Sequence, residues 1–193
     1  MFLSVNRGQA QDNTHNYGVK MGINYNKYRS SEIYYYYRAK RGLHISFFYA
    51  KNYDDFRIQP SVMFIQKVST LEKYKEMKYS VYDHILSFIE IPFEFSYKVV
   101  DFKLLAVRVN FEPYIGYCLK AIKRDESKYE ELSIGRNDKD ALSPINAGLR
   151  IGLSFEISRF EPYFCYDIGL KDISPYDGKL TNNGASMGIA FHF

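Results

Sequence analysis

Along most of the chain apolar and polar residues alternate one by one, and the alternation restarts eight times. A side-chain period of two marks a strand with two unlike faces. The first segment sets Tyr17, Val19, Met21, Ile23 and Tyr25 against Gly18, Lys20, Gly22, Asn24 and Asn26. The second sets Leu43, Ile45, Phe47 and Tyr49 against His44, Ser46, Phe48 and Ala50. The third sets Phe56, Ile58, Pro60, Val62 and Phe64 against Arg57, Gln59, Ser61 and Met63. In the fourth, Ile85, Ile89, Ile91, Phe93, Phe95, Tyr97 and Val99 face away from Glu90, Pro92, Glu94, Ser96 and Lys98. The fifth runs from Leu105 to Leu119 with Arg108, Asn110, Glu112, Tyr114 and Gly116 on its polar side. The sixth spans Ile145–Ile157 with Asn146, Gly148, Arg150, Gly152, Ser154 and Glu156 opposite its apolar row. The seventh pairs Phe160, Pro162, Phe164, Tyr166 and Ile168 with Glu161, Tyr163, Cys165, Asp167 and Gly169, and the eighth ends in Met187, Ile189, Phe191 and Phe193.

The connections alternate as well. Tight turns are expected at Tyr53-Asp54-Asp55, Val100-Asp101-Phe102 and Ser158-Arg159. Long polar loops are expected over 26–42, 68–83, 121–143 and 171–184. Short turns at one end and long loops at the other are the habit of outer-membrane barrels, with the short turns on the periplasmic side. The fold class predicted is all-β, an eight-stranded antiparallel up-and-down transmembrane β-barrel over residues 16–193, behind an N-terminal arm of residues 1–15.

The polar faces decide which side is in. They combine many glycines with charges of both signs, a composition suited to a crowded interior and poor for a wetted sheet, since glycine weakens strands. The apolar rows are long enough for the ~9–11 residues that a tilted strand needs to cross a bilayer. Tyr17, Tyr25, Tyr49, Tyr97 and Tyr117 near the strand ends supply aromatic girdles without tryptophan. The alternative is a soluble lipocalin-like barrel that buries the apolar face around a ligand.

Composition narrows the picture further. The 193 residues are 46% hydrophobic, too apolar for a disordered chain, and no run is long enough for a transmembrane helix. Mean hydropathy is −0.35, an average that hides alternating strands. A net charge of +4 without a clustered basic face argues against nucleic-acid binding. Cys118 and Cys165 lack metal-ligand spacing, so no metal and no cofactor are expected. Both face inward on strands separated by one other, either as a disulfide or as free thiols. Met1–Arg7 is too short and polar for a signal-peptide core, whereas Gly8-Gln9-Ala10 fits a cleavage site. Residues 1–10 therefore read as the tail of a signal peptide or as a free arm.

Several stretches carry a family resemblance: Gly-Val-Lys-Met-Gly-Ile-Asn at 18–24, Ile89-Glu90-Ile91-Pro92-Phe93, Glu112-Pro113-Tyr114-Ile115-Gly116-Tyr117, Tyr166-Asp167-Ile168-Gly169-Leu170-Lys171-Asp172-Ile173, and Met187–Phe193. In order and spacing they resemble the PorT-type outer-membrane β-barrel domain family of diderm bacteria. The resemblance implies export, location in the bacterial outer membrane, and a terminal aromatic strand read by the barrel-insertion machinery. It implies no catalytic residues. One member type assists protein secretion, which makes other envelope proteins possible partners here.

An eight-stranded barrel has an interior that side chains just fill. The inward charges are accordingly read as a structural ionic network of Lys20, Arg57, Glu90, Glu94, Arg108, Glu112, Arg150, Glu156, Glu161 and Asp167. A small pore is the functional alternative. His44 and Ser46 share a face and, with an acid nearby, would suggest a lipid-modifying hydrolase. The Ile33–Arg38 stretch reads as a hairpin rising above the membrane. Tyr35, Tyr37, Arg38, Lys40 and Arg41 are its candidate surface contacts, with outer-membrane lipid and lipopolysaccharide phosphates as partners. The expected role is non-enzymatic: presentation of loops, or a place in an envelope or secretion assembly.

Overall fold

A computed structural model describes residues 15–30, 35–75, 78–102, 104–125, 128–135, 142–173 and 180–193. The strands are β1 (His15–Ser30), β2 (Tyr35–Tyr53), β3 (Phe56–Lys75), β4 (Lys78–Asp101), β5 (Ala106–Arg124), β6 (Tyr129–Glu131), β7 (Ile145–Glu156), β8 (Phe160–Gly169) and β9 (Leu180–His192). Neighbours pair antiparallel in the order β4-β3-β2-β1-β9-β8-β7-β5, and β4 also pairs with β5. The eight long strands thus close into a ring that has no free edge, while the three-residue β6 attaches to the outer end of β5. Closure satisfies every strand's backbone from its neighbours, which is the condition for crossing hydrocarbon.

The barrel is inside out relative to a soluble one. Phe47, Val62, Ile91, Phe111, Ile115, Ile151, Phe164 and Met187 are exposed on its outer wall. Lys20, Arg57, Lys67, Glu90, Glu94, Arg150 and Asp167 are buried inside it. This arrangement overturns the soluble ligand-binding alternative, which needs the apolar face buried. The turns at one end are tight. Asp54 and Asp55 join β2 to β3 directly, and Asp54 and Ser158 take positive φ angles of 50° and 56°, as tight hairpins require.

Two expected loops are corrected. β1 continues to Ser30 and β2 begins at Tyr35, so most of 26–42 is paired strand; the same holds for 68–83, where β3 runs to Lys75 and β4 starts at Lys78. Polar residues there alternate just as well above the membrane, and ladder hydrogen bonds persist where lipid does not reach. The result is a lopsided barrel. Ile145, the first residue of β7, pairs with Tyr117, and β5 continues seven residues further to Arg124, roughly 23 Å of strand at ~3.3 Å per residue.

Three irregularities break the face alternation. The β2–β3 register shifts between Lys40 and His44, and the β4–β5 register shifts between Ser87 and Phe88 and again between Lys98 and Val100. Each extra residue leaves two consecutive side chains on the outer side: Lys40 with Arg41, Leu119 with Lys120, and Val99 with Val100 near the short turns, all exposed. Above the first bulge the odd residues of β2 turn inward. Tyr37, expected as a surface contact, is therefore buried, paired with inward Leu71 and edge-on to Tyr28.

Candidate functional site

The interior is stacked in layers. Nearest the short turns, Arg108 Nε donates to Glu156 at 2.8 Å. Arg57 donates to both Glu161 oxygens, at 2.5 and 2.7 Å, and reaches Glu94 at 3.2 Å. His192 Nε2 lies 2.8 Å from Glu161. Lys20 joins this layer to the next, 2.6 Å from Glu94 and 3.8 Å from Glu112. Arg150 then spans three carboxylates: Asp167 at 2.5 Å, Glu112 at 2.6 Å, and Glu90. Its guanidinium also lies 4.3 Å from the centre of the Tyr114 ring. Eight of the ten residues read from sequence as lumen charges are joined in this network, while Arg108 and Glu156 form a separate pair at the short-turn end, with Glu156 partly exposed. Strand register assembles it: Arg150 on β7 is directly opposite both Glu112 on β5 and Asp167 on β8.

Lys67 was missed. It is fully buried and 2.7 Å from Glu90. The third alternating segment was closed at Phe64, although Met63, Ile65, Lys67, Ser69 and Leu71 continue the inward row. The apolar lid above the ionic layers was missed too. Tyr28, Tyr37, Ile65, Leu86 and Phe88 pack there with Leu142 and Ile173, which the two long connections fold into the barrel mouth. Backbone bonds hold these segments: Ser143 N–H donates to Ile173 and Ile173 N–H to Leu180. At the other end Phe48, Ala50 and Ala190 form an apolar floor. Between them a cavity lined by Lys20, His44, Glu112, Arg150 and Tyr163 offers about 10 Å³, room for a single water. The glycines serve this crowding: a Cβ on Gly116 would stand 2.7 Å from Glu90 Cγ.

Among the described residues, His44 and Ser46 are not assembled into a Ser-His-acid site. His44 Nε2 bonds to the Tyr163 hydroxyl, while His44 Nδ1 and Ser46 Oγ have no hydrogen-bond partner among the described residues. Both side chains are buried inside the wall, away from lipid. Cys118 and Cys165 are free thiols. Gly152 pairs with both Cys165 and Asn110, and Cys118 lies eight residues beyond Asn110 along β5, roughly 26 Å of strand. A disulfide is out of reach. Among the described residues no group of His, Cys, Asp and Glu side chains is arranged to hold a metal.

The outer wall above the lipid-facing rows is polar. Arg38 bonds Glu72 at 2.6 Å with its side chain 65% exposed. Lys40 and Arg41 are exposed beside it, while the Tyr35 side chain lies outside the described residues. One strand further, Asp83 accepts from Lys40 at 2.6 Å, Thr70 at 2.8 Å and Arg124 at 2.8 Å. Partial burial raises the Asp83 carboxyl, but these three donors outweigh it and hold it below the ordinary carboxylate value. Sequence reasoning found Lys40 and not its partners, because the row that joins them runs across four strands.

Comparison with known proteins agrees with this architecture. The structure is similar to that of Ail, the attachment invasion locus protein of Yersinia pestis, solved in complex with the heparin analogue sucrose octasulfate. The TM-score is 0.51 at 12% identity, over 93% of this chain and 99% of that one. It is also similar to Neisserial surface protein A, with TM-score 0.52 at 13% identity over 92% and 97%. At such identities the likeness is one of fold. A search of curated proteins finds no match. The model of the outer membrane protein β-barrel domain matches residues 9–174. The chain belongs to that family, as a transmembrane β-barrel of the bacterial outer membrane.

Proposed function

We propose that the protein is a filled, non-enzymatic and non-conducting barrel that holds a tall β2–β5 wall above the outer membrane, as a component of an envelope assembly. The observation that carries this reading is the interior. The charged layers have their carboxylates paired, an apolar floor and an apolar lid close them off, and the cavity beside Arg150 and His44 has a volume of only about 10 Å³. Such an interior supports neither ion passage nor substrate entry, and what varies along the molecule is its outward surface. The exposed Phe193 beyond Met187, Ile189 and Phe191 supports recognition of the last strand by the barrel-insertion machinery. The PorT-type stretches support a secretion-related assembly as its setting.

The test is expression with a full signal peptide, membrane fractionation, and gel mobility with and without boiling. An outer-membrane band whose mobility changes on boiling is expected, with no steady conductance in planar bilayers and with crosslinks to envelope proteins through β2–β5. Steady conductance would refute the filled interior. Hydrolysis of a lipid ester that Ser46→Ala abolishes would refute the non-enzymatic reading.

A further inference from the structure

We propose that the outward side of the β2–β6 wall, just above the apolar band, binds the phosphorylated saccharide headgroup of an outer-leaflet glycolipid. The seat is the cleft between Lys40 and Arg124. The proposal rests on the barrel orientation given above and names a partner for it. The cleft has a volume of about 770 Å³ and is lined by Lys40, Thr70, Arg124 and Tyr129 with the two carboxylates Asp83 and Asp125, among others. That volume lies in the ~300–1,000 Å³ range of small-ligand sites.

Register places it on the outside. Thr70 is opposite Asp83, Asp83 is opposite Arg124, and Arg124 is opposite Tyr129. The residues flanking Thr70, Ser69 and Leu71, are the buried inward ones. The bulge in β2 turns Lys40 to the same side. Its height is that of lipid headgroups. On β4 ten residues separate girdle Tyr97 from Ser87, which fills the ~9–11 residues of a membrane crossing, and Asp83 lies four residues beyond.

Charge selects the ligand. Above the apolar band the described outward positions of β1–β6 carry Lys27, Arg29, Arg38, Lys40, Arg41, Lys120 and Arg124 against Glu72, Asp83 and Glu131. This surplus of four positive charges equals the net charge of the whole chain, +4. The outward positions of β7–β9 carry no charge at all. Within the cleft, Asp83 fixes Lys40 and Arg124 at 2.6 and 2.8 Å while leaving their side chains 46% and 40% exposed. Asp83, with Tyr129 on Arg124, uses only part of the eight N–H donors that a lysine and an arginine offer, which leaves donors that can turn to phosphate oxygens. Tyr129, 75% exposed at the edge, supplies a flat apolar face for a sugar ring.

The experiment uses the purified barrel in nonionic detergent micelles. Three probes are compared: diphosphorylated lipid A, the same lipid stripped of phosphate, and glucosamine 1-phosphate. Diphosphorylated lipid A is expected to bind at least about tenfold more tightly than the stripped lipid. Lys40→Gln with Arg124→Gln should weaken it about tenfold, whereas Lys51→Gln with Lys98→Gln near the short turns should not. Lys27→Gln with Arg41→Gln, which leaves Asp83 untouched, should weaken it about threefold and serves if the first pair misfolds. Equal binding of the stripped lipid, or indifference to both outward pairs, overturns the proposal. Free glucosamine 1-phosphate binding as tightly as the lipid overturns a lipid as the source. A heat-shifted band in every sample shows that the barrel itself is intact, so failure here is distinct from failure of the functional reading.

Discussion

The ionic core makes Arg150 the residue whose loss should be felt most. Replacing it with methionine keeps the length and deletes the charge. Its guanidinium is 3% exposed and contacts Asp167, Glu112 and Glu90. Three charge-assisted bonds at ~1.5–3 kcal/mol each set an upper bound. Part of the loss is recovered locally. Lys67 still holds Glu90 at 2.7 Å and Ser186 still holds Asp167 at 2.7 Å. Glu112 is left with Lys20 at 3.8 Å, so one buried carboxylate becomes nearly unpaired. Breaking a buried pair in this way costs about 3–5 kcal/mol, and that is the expected loss for Arg150→Met.

Urea unfolding in micelles, followed by loss of the heat-shifted band and by strand circular dichroism, measures it. The comparison is Arg38→Gln. Its pair with Glu72 is solvent-exposed and should matter by no more than about 1 kcal/mol. Adding Glu112→Gln to Arg150→Met should return part of the stability, because it removes the stranded charge. If Arg150→Met unfolds within about 1 kcal/mol of wild type, the carboxylates are not held by this arginine and the network reasoning fails.

Ile91 faces lipid in the middle of β4, and Ile91→Arg should cost about 2–4 kcal/mol in the same urea assay. Ser158 sits in the left-handed region at φ 56°, so Ser158→Gly should raise stability by up to about 1 kcal/mol while Ser158→Val lowers it. An unchanged midpoint for both would refute strain at that turn. The Asp83 carboxyl is held below its ordinary value, so its contribution is complete above pH ~4 and is lost as pH falls through the lower folded value. The stability gap between wild type and Asp83→Asn should therefore be flat from about pH 7 to pH 5 and close only in stronger acid. A gap that closes between pH 7 and pH 5 would contradict the Lys40–Asp83–Arg124 cluster.

The membrane-spanning part was legible in the sequence because lipid outside and crowding inside impose one rule on every strand. Ile89-Glu90-Ile91-Pro92-Phe93 shows it in five residues, and inward Glu90 lies where the alternation puts it. Above the membrane the outer face no longer needs to be apolar, so alternation loses its contrast. Lys67 escaped notice for that reason, as did the strand character of 26–42 and 68–83. Tyr37 was assigned to the wrong side because a one-residue bulge near Lys40 reverses every side chain beyond it. The folding of Leu142 and Ile173 into the mouth left no periodic trace, since the apolar residues of these connections (Leu132, Ile134 and Leu142 in one, Leu170 and Ile173 in the other) are scattered among polar ones.

The outward cations need a reason beyond tolerance. An arginine or lysine facing hydrocarbon costs about 2–4 kcal/mol at the midplane and little at the interface, so their onset at Lys27, Arg41 and Lys120 marks where the hydrocarbon ends. Avoidance of lipid explains where they start but not where around the ring they stand. Asn183 and Thr181 on β9 are paired directly with Lys27 and Arg29, and neither carries charge. Two of the three bulges fall at this level, and each adds a cation to the outer side, Lys40 beside Arg41 and Lys120 beside Leu119, while the third, by Val99 near the short turns, adds none. Bulges interrupt ladder bonding, so two of them that feed one basic face point to selection for what that face binds. A wall built only to stand above the membrane would keep its register straight and its cations spread evenly around the ring.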